Sequence, residues 1–544
     1  MGDKASVNSL YRSCVSGGQG LCKQLASIFC KCGRQTAEPQ TEDETCVFPH
    51  HVFSEVEVIK KVEEAIESRK SFKKPIVLRV VGSEHSAREA IYSESNNYTT
   101  KLLHLAGDLK SVEKGKECDD HTLFRVGAGC RIGKIPSPPQ CTDSDVFWED
   151  SLCYKVEKWG CGIPVLGGVT YQTIGGFLMT GSAGGSLNHG FSDFVHEIEF
   201  VDGNATKQTA NRVSNPDLWS AVGVSMGLLG IVTYVTLKLP KVVYVQGKEE
   251  GYEYKDSSLR LDDCREGETN LEKSLKDNEY FRLNWFPQDG MNRVQEWSGN
   301  QAREPTETER KPYKTILANP IAALGASVIL GIGNNIVEGA KRPEDPSLEA
   351  IFTLGLKAFV PIDQPTEFHD TFYRTLPMDN DAYVYSFFEV SFTEIWMPIS
   401  KCRSIIEKLN ALFAQNKKAA GNFATEIYAA KKSEFWLGMS QGGDCVRVDP
   451  YWWQGNCFGD MREFFTYFWE ALLDLGEARL HWGKYLPKPG QKCGETTFNL
   501  AYLKDVYPKM GDWLAKREEC DPHQIFVTEY WRDILEIESP STNK

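Results

Sequence analysis

Apolar residues recur along this chain with two periods. Val58, Ile59, Val62 and Ile66 form a stripe of helical spacing, and Ser54 with Glu57 makes a capping box before it, so a helix is expected there. Residues 75–81 are nearly all apolar and stop at Gly82-Ser83, which reads as a buried strand delivering a Gly-Ser-Glu-His-Ser turn. Further on, residues 194–201 alternate as a strand that turns at Asp202-Gly203. Residues 216–222 read as a helix after Asn215, and 231–239 alternate as another strand. In the second half, Ser400 is expected to cap a helix carrying Cys402, Ile405, Ile406, Leu409, Leu412 and Phe413. Asp460 caps one carrying Met461, Phe464, Phe465, Phe468 and Leu472, ended by Gly476. Strands are expected around 383–393 and 434–453. The charged stretch 248–276 reads as irregular and marks a domain boundary. The class is α+β, without an internal repeat.

Length and charge then narrow the picture. At 544 residues the chain exceeds what one core usually holds, about 250–300 residues. Lys+Arg of 61 against Asp+Glu of 75 gives a net charge of −14, the wrong sign for a phosphate-binding surface, so no nucleic-acid partner is expected. Sixteen cysteines include no C-x-x-C pair, and His196-Glu197 lacks the second histidine of a zinc helix, so no metal site is expected. Residues 1–47 read as a flexible tail with Cys14, Cys22, Cys30, Cys32 and Cys46. Met1-Gly2 … Ser6 fits the N-myristoylation pattern, so a lipid anchor at Gly2 and peripheral membrane contact stand as the alternative to a plain tail. Residues 321–333 are apolar but number only thirteen, against about 20 for a spanning helix, and read as a buried helix. Without a secretory leader the location reads as intracellular, cytoplasmic or peripheral to a membrane.

Residues 160–190 hold ten glycines in thirty-one, interleaved with Ile163, Val165, Leu166, Ile174, Phe177 and Leu178. A linker would lack those apolar residues, so the segment reads as a packed loop that approaches a ligand closely. Two G-x-S-x-G matches, around Ser225 and Ser440, lack the strand-serine-helix order of a nucleophile elbow. No Walker or G-x-G-x-x-G motif is present, which excludes P-loop and Rossmann nucleotide binding.

Three motifs in this order carry a resemblance: the 82–86 turn; Thr173-Ile174-Gly175-Gly176-Phe177 with Gly181-Ser182-Ala183-Gly184-Gly185; and Gly230-Ile231-Val232-Thr233. Together they resemble the FAD-binding domain of the vanillyl-alcohol oxidase / p-cresol methylhydroxylase superfamily. Arg479-Leu480-His481-Trp482-Gly483-Lys484 is similar to the H-W-x-K signature of sugar-1,4-lactone and alditol oxidases, and Asp521-Pro522 … Phe526 to their C-terminal motif. The resemblance implies a two-domain fold with an FAD domain over 48–241, an α+β substrate cap over 242–478, and a C-terminal segment, 479–544, that completes the site.

It also implies roles. Gly82, Ser83, Glu84, His85, Ser86, Gly175, Gly176, Gly181, Ser182, Gly185, Ser186 and Ile231 would hold FAD, with His85 bonded covalently to it. Lys484, Glu426 and His481 would be catalytic, oxidising the CH–OH group of a sugar lactone or polyol with oxygen as acceptor. The family's glutamate-x-arginine strand motif becomes Glu426-Ile427-Tyr428 here, and Asp449 and Tyr451 stand where alditol oxidases have histidine and threonine. Tyr428, Asp449 and Tyr451 are therefore the expected substrate-binding positions, in a substrate end that looks rebuilt. The rival readings are a same-fold oxidase or dehydrogenase acting on another alcohol, and a flavin-holding scaffold without turnover.

Overall fold

The computed structural model describes residues 49–70, 74–134, 148–261, 268–315, 356–357, 360–362, 364–379, 390–421, 423–453 and 460–539. The N-terminal cysteines, Gly2 and the apolar stretch 321–333 lie outside these residues, as does most of the strand expected at 383–393. Among the described residues no helix is long and apolar enough to cross a membrane, and no group of three or more potential ligands could hold a metal ion.

The helix behind Ser54 forms at Glu55–Lys70. Ser54 Oγ accepts from the Glu57 N–H at 3.3 Å, and Glu57 reaches back to the Phe53 N–H at 2.9 Å. Val58, Val62 and Ala65 are buried along one stripe, where the helix packs on a parallel three-stranded sheet. That sheet is β1 (His50–Val52), β2 (Ile76–Val80) and β3 (Thr99–Leu105), in the order β1-β3-β2. A second, antiparallel sheet has the order β4-β5-β8-β6-β7. Its strands are β4 (Val112–Glu117), β5 (Thr122–Gly127), β6 (Val195–Asp202), β7 (Lys207–Asn211) and β8 (Gly230–Leu239).

After Leu239 the chain enters a third and larger sheet. Its strands are β9 (Tyr244–Glu253), β10 (Tyr280–Phe286), β11 (Arg293–Ala302), β12 (Thr366–Thr371), β13 (Val390–Phe392), β14 (Ile395–Pro398), β15 (Thr425–Ala430), β16 (Cys445–Trp453) and β17 (Arg479–Leu480). Among the described residues the order is β12-β9-β11-β10-β15-β16-β14-β17, with β13 on β16, and every pairing is antiparallel. Helices Cys402–Gln415 and Met461–Leu472 pack together, the second bearing the aromatic stripe of Phe464, Phe465, Phe468 and Trp469.

Two local expectations are corrected. The stretch 248–276 is not irregular throughout: its start belongs to β9, and Asn270–Asp277 is helical. Lys248, Glu250 and Glu253 masked the strand because their heads reach solvent or one another while Val245 and Glu249 are buried. Ser400 does not cap its helix. It lies in a single 3₁₀ turn, Ile399–Lys401, and Lys401 is the N-cap without a side-chain bond. Asp460 does cap, accepting from the Arg462 and Glu463 N–H groups.

Candidate active site

The strand-turn unit predicted at 76–86 sets the first wall of a long cleft. Where β2 ends, Glu84 takes a positive φ of 54°, folding residues 82–86 into a tight concave turn. Among the described residues, no acceptor is recorded for the backbone N–H groups of Gly82, Ser83, Glu84, His85 or Ser86. Consecutive unspent N–H groups in such a turn suit an anion. The cleft is long and opens to solvent. Its walls include Gly82 to Ser86, Gly175, Gly176, Ser182, Ile231, and His481 to Lys484.

Gly175 and Gly176 line this cleft for a reason other than donation. Their N–H groups are taken by Ala128 O and Thr173 Oγ1. A Cβ on Gly175 would lie 2.9 Å from Ala128 O, so glycine lets the helix Ile174–Met179 close onto the segment after β5. Three expected cofactor residues do not line the cleft. Gly181, at φ 73°, borders a separate pocket behind the loop. Gly185 and Ser186 face the large sheet: a Cβ on Gly185 would meet Phe281 O at 3.0 Å, and Ser186 Oγ donates to Glu279 O at 2.6 Å. They pin the glycine loop to that sheet.

A second chamber adjoins the cleft, and His85, Gln172, Phe177, Ser182 and Lys484 line both. At this junction the buried Gln172 Oε1 has no partner, and Nδ1 of His85 meets the Tyr171 phenol at 2.7 Å. Lys484 Nζ donates to His85 O at 3.2 Å and sits 3.9 Å from the Phe392 ring centroid. Burial lowers the Lys484 amine to about 8, against the pull of Glu394 and Asp449. Burial takes His481 down to about 4 and His85 well below the usual histidine range, so both are neutral at pH 7. His481 Nδ1 accepts from the Gly483 N–H at 3.1 Å, which leaves the ring hydrogen on Nε2, 3.5 Å from Ser182 Oγ.

Two cross-strand rows of one sheet face back the chamber, and Glu426, Tyr428 and Arg447 of these rows line it. Register places Gln295, Asn284, Glu426 and Asp449 side by side on β11, β10, β15 and β16. Two residues along, Trp297, Arg282, Tyr428, Arg447 and Trp396 form the adjacent row. Arg282 Nη1 pairs with Asp379 at 2.7 Å and with Glu426 at 2.9 Å, and the Tyr451 hydroxyl donates to Glu426 at 2.5 Å. Burial holds Glu426 above the ordinary glutamate range despite Arg282, and Asp449 well above the aspartate range. Burial acts on Glu394 in the same direction, but His481, Arg447 and Lys484 together bring it below its ordinary value. Neighbouring carboxyls are thus shifted in opposite directions, the pattern of paired acids and bases.

The structure brings together Lys484, His481, Glu426, Tyr428, Tyr451 and, behind them, Asp449. Arg282, Asp379, Glu394, Arg447, Gln172 and Tyr171 were not found from sequence. Arg447 could have been, since it lies two residues before Asp449 on the same strand face. The G-x-S-x-G serines take no part: Ser225 Oγ contacts Met179 Sδ and Ser440 Oγ donates to Lys431 O. Cys161 is buried beside Lys241. Asp521 accepts from the Ile525 and Phe526 N–H groups, and Phe526 lines the cleft.

A family model described as D-arabinono-1,4-lactone oxidase matches residues 256–534. The chain is 21% identical over 440 residues to an L-gulonolactone oxidase of Bos taurus, covering 77% of this chain and 86% of the relative. A D-arabinono-1,4-lactone oxidase of Debaryomyces hansenii is 26% identical over 244 residues, covering 43% of this chain and 38% of the relative. Among solved structures, the cholesterol oxidase of Brevibacterium sterolicum superposes with a TM-score of 0.64 at 13% identity, covering 89% of this chain and 93% of that one. The likeness shows a shared fold with that oxidase.

Proposed function

Because the chain belongs to the D-arabinono-1,4-lactone oxidase family, we propose that it is an FAD-dependent oxidase of a CH–OH group in a sugar lactone or polyol. The observation that carries this reading is the junction, where five residues line both a long open cleft and a chamber bearing carboxyl and guanidinium groups. The unspent N–H groups of 82–86 fit a pyrophosphate, and the orphaned Gln172 amide oxygen fits a polar ring edge. We assign 48–241 with 479–544 to the cofactor domain and 242–478 to the cap.

When bound, FAD supplies the hydride acceptor. The chain's own residues handle the proton and the substrate. The Lys484 amine, neutral above about pH 8, takes the hydroxyl proton of the substrate, and as an ammonium it then faces Glu394. His481 offers its Nε2 hydrogen to a substrate oxygen, while Glu426, anchored by Arg282 and Tyr451, accepts from a hydroxyl. Two electrons leave the carbon with the hydride and one proton leaves the oxygen, so the product is a carbonyl. Dioxygen is the proposed final acceptor, released as hydrogen peroxide. His85 is assigned as the covalent anchor. It is neutral, and its Nδ1 is occupied by Tyr171, so Nε2 is the nitrogen available for a bond.

Acid precipitation of the purified protein tests the anchor. A flavin band that stays with the pellet, and is released in His85→Ala, supports it; yellow supernatant from the wild type removes the covalent bond but keeps the fold. Anaerobic bleaching of the flavin by D-arabinono- or L-gulono-1,4-lactone, or by an alditol, tests the activity. A flavin that none of them reduces would sink the oxidase reading and leave a scaffold.

A further inference from the structure

The position that carries arginine in the glutamate-x-arginine motif is Tyr428, and a phenol offers one donor where a guanidinium offers five. Register supplies what the strand itself lacks. On its two sides Tyr428 faces Arg282 and Arg447, so guanidinium groups flank the vacated position from both neighbouring strands. They are not equivalent. Arg282 is committed to two carboxylates, Asp379 and Glu426, and is not part of the chamber wall. Arg447 lines the chamber.

Its plane is fixed by aromatic faces. The guanidinium carbon lies 3.4 Å from the Tyr428 ring centroid and 5.0 Å from that of Trp396. Glu394 holds one end, with Oε2 at 3.3 Å from Nη1. The remaining edge is unsatisfied: Nε is buried without a hydrogen-bond partner, and the nearest carboxylate oxygen, Asp449 Oδ2, is 3.6 Å away. Both Asp449 oxygens are likewise buried without a hydrogen-bond partner. Asp449 stands behind Arg447 and does not line the chamber, so Arg447 is the one of this pair that a hydroxyl-bearing ligand would meet.

We propose that Arg447 is this chain's substrate-binding guanidinium, transferred to the facing strand, with Tyr428 as its stacking platform and Asp449 beside it. It takes lone pairs of substrate oxygens and thereby sets which polyhydroxylated lactone or polyol fits. The proposal rests on the oxidase reading above. Arginine moved one strand over enters the chamber from another side, so the substrate would be held in a different pose from that given by the usual motif. Arg447 is a specificity-determining residue. The proton and hydride still leave at Lys484 and the cofactor.

Anaerobic stopped-flow reduction by L-gulono- and D-arabinono-1,4-lactone separates binding from the limiting rate. In Arg447→Lys, which keeps the charge and loses the fork, the apparent Kd is expected to rise at least tenfold while the limiting reduction rate changes less than fivefold. The cross-strand exchange, Tyr428→Arg with Arg447→Tyr, is expected to bind more tightly than Arg447→Tyr alone. Flavin content and Tm are measured for each variant. Should Arg447→Lys fail to hold flavin, Tyr428→Ala decides, with a Kd rise of threefold or more expected from loss of the platform. A Kd within twofold of wild type in Arg447→Lys, or in Tyr428→Ala where that variant decides, overturns the proposal, as does an exchange no better than Arg447→Tyr. Wild-type flavin that no lactone or alditol bleaches removes the oxidase reading itself, an outcome visible before any variant is made.

Discussion

The cleft at the 82–86 turn and the adjoining chamber touch at Lys484 and His85 but are built by opposite means. The cleft is made of backbone: a tight turn at 82–86, a glycine-permitted helix contact at Gly175, and the 481–484 turn. The chamber is lined by charged side chains from distant parts of the chain: Glu426 of β15, Arg447 of β16, Glu394 just before β14, and Asp379 from a loop. The difference teaches how such an enzyme can change substrate. Backbone geometry tolerates little substitution, whereas a cross-strand row can pass a functional group to the neighbouring strand and keep it over the same cavity.

Substitutions on either side should break different things. Lys484→Met is expected to give the largest loss, about 10²–10⁴-fold in the rate of flavin reduction. The flavin spectrum should be retained, since the residue meets the cleft only at its inner end. Gly175→Val should do the reverse, lowering stability by about 1–3 kcal/mol through overpacking. Its Cβ would press on Ala128, so flavin per chain should fall, read by absorbance and thermal melting. Normal flavin content in that variant would argue against a backbone-limited cleft.

The pH dependence sharpens the chamber side. Burial depresses Lys484 to about 8, and the neutral amine is the proposed proton acceptor. The reduction rate should therefore climb up to tenfold per pH unit below 8 and level off above it. Lys484→Met should flatten the profile. A rate that instead falls above pH 8 would mean that the ammonium is the working form. Smallest of all, Ser225→Ala should leave reduction within twofold, because the hydroxyl contacts only Met179 Sδ; a large loss would reopen the hydrolase motif.

Legibility followed the same division. Helix Glu55–Lys70, β8 and the Asp460 cap could be read because their signals lie within a few adjacent residues. The Ser400 cap was misplaced because a 3₁₀ turn intervenes, and β9 was hidden because its charged residues obscure the alternation. Lys484, His481 and Glu426 were singled out through local motifs, and the fold sets them beside the cleft and the chamber. Glu394 and Arg282 were not, since nothing in their immediate neighbours marks them, and only the assembled sheet sets Arg282 against Glu426 and Glu394 against Arg447.

The sequence alone determined where the chain must turn tightly and which faces of its helices and strands are apolar. Each of these depends on interactions spanning only a few residues. Tertiary structure decided which glycines border the cleft and which pin a loop, and which of four buried carboxyls sits beside which cation. It also decided that Arg447 stacks on Tyr428. Those outcomes depend on strand register, where a shift of one residue would turn every side chain to the other face of the sheet.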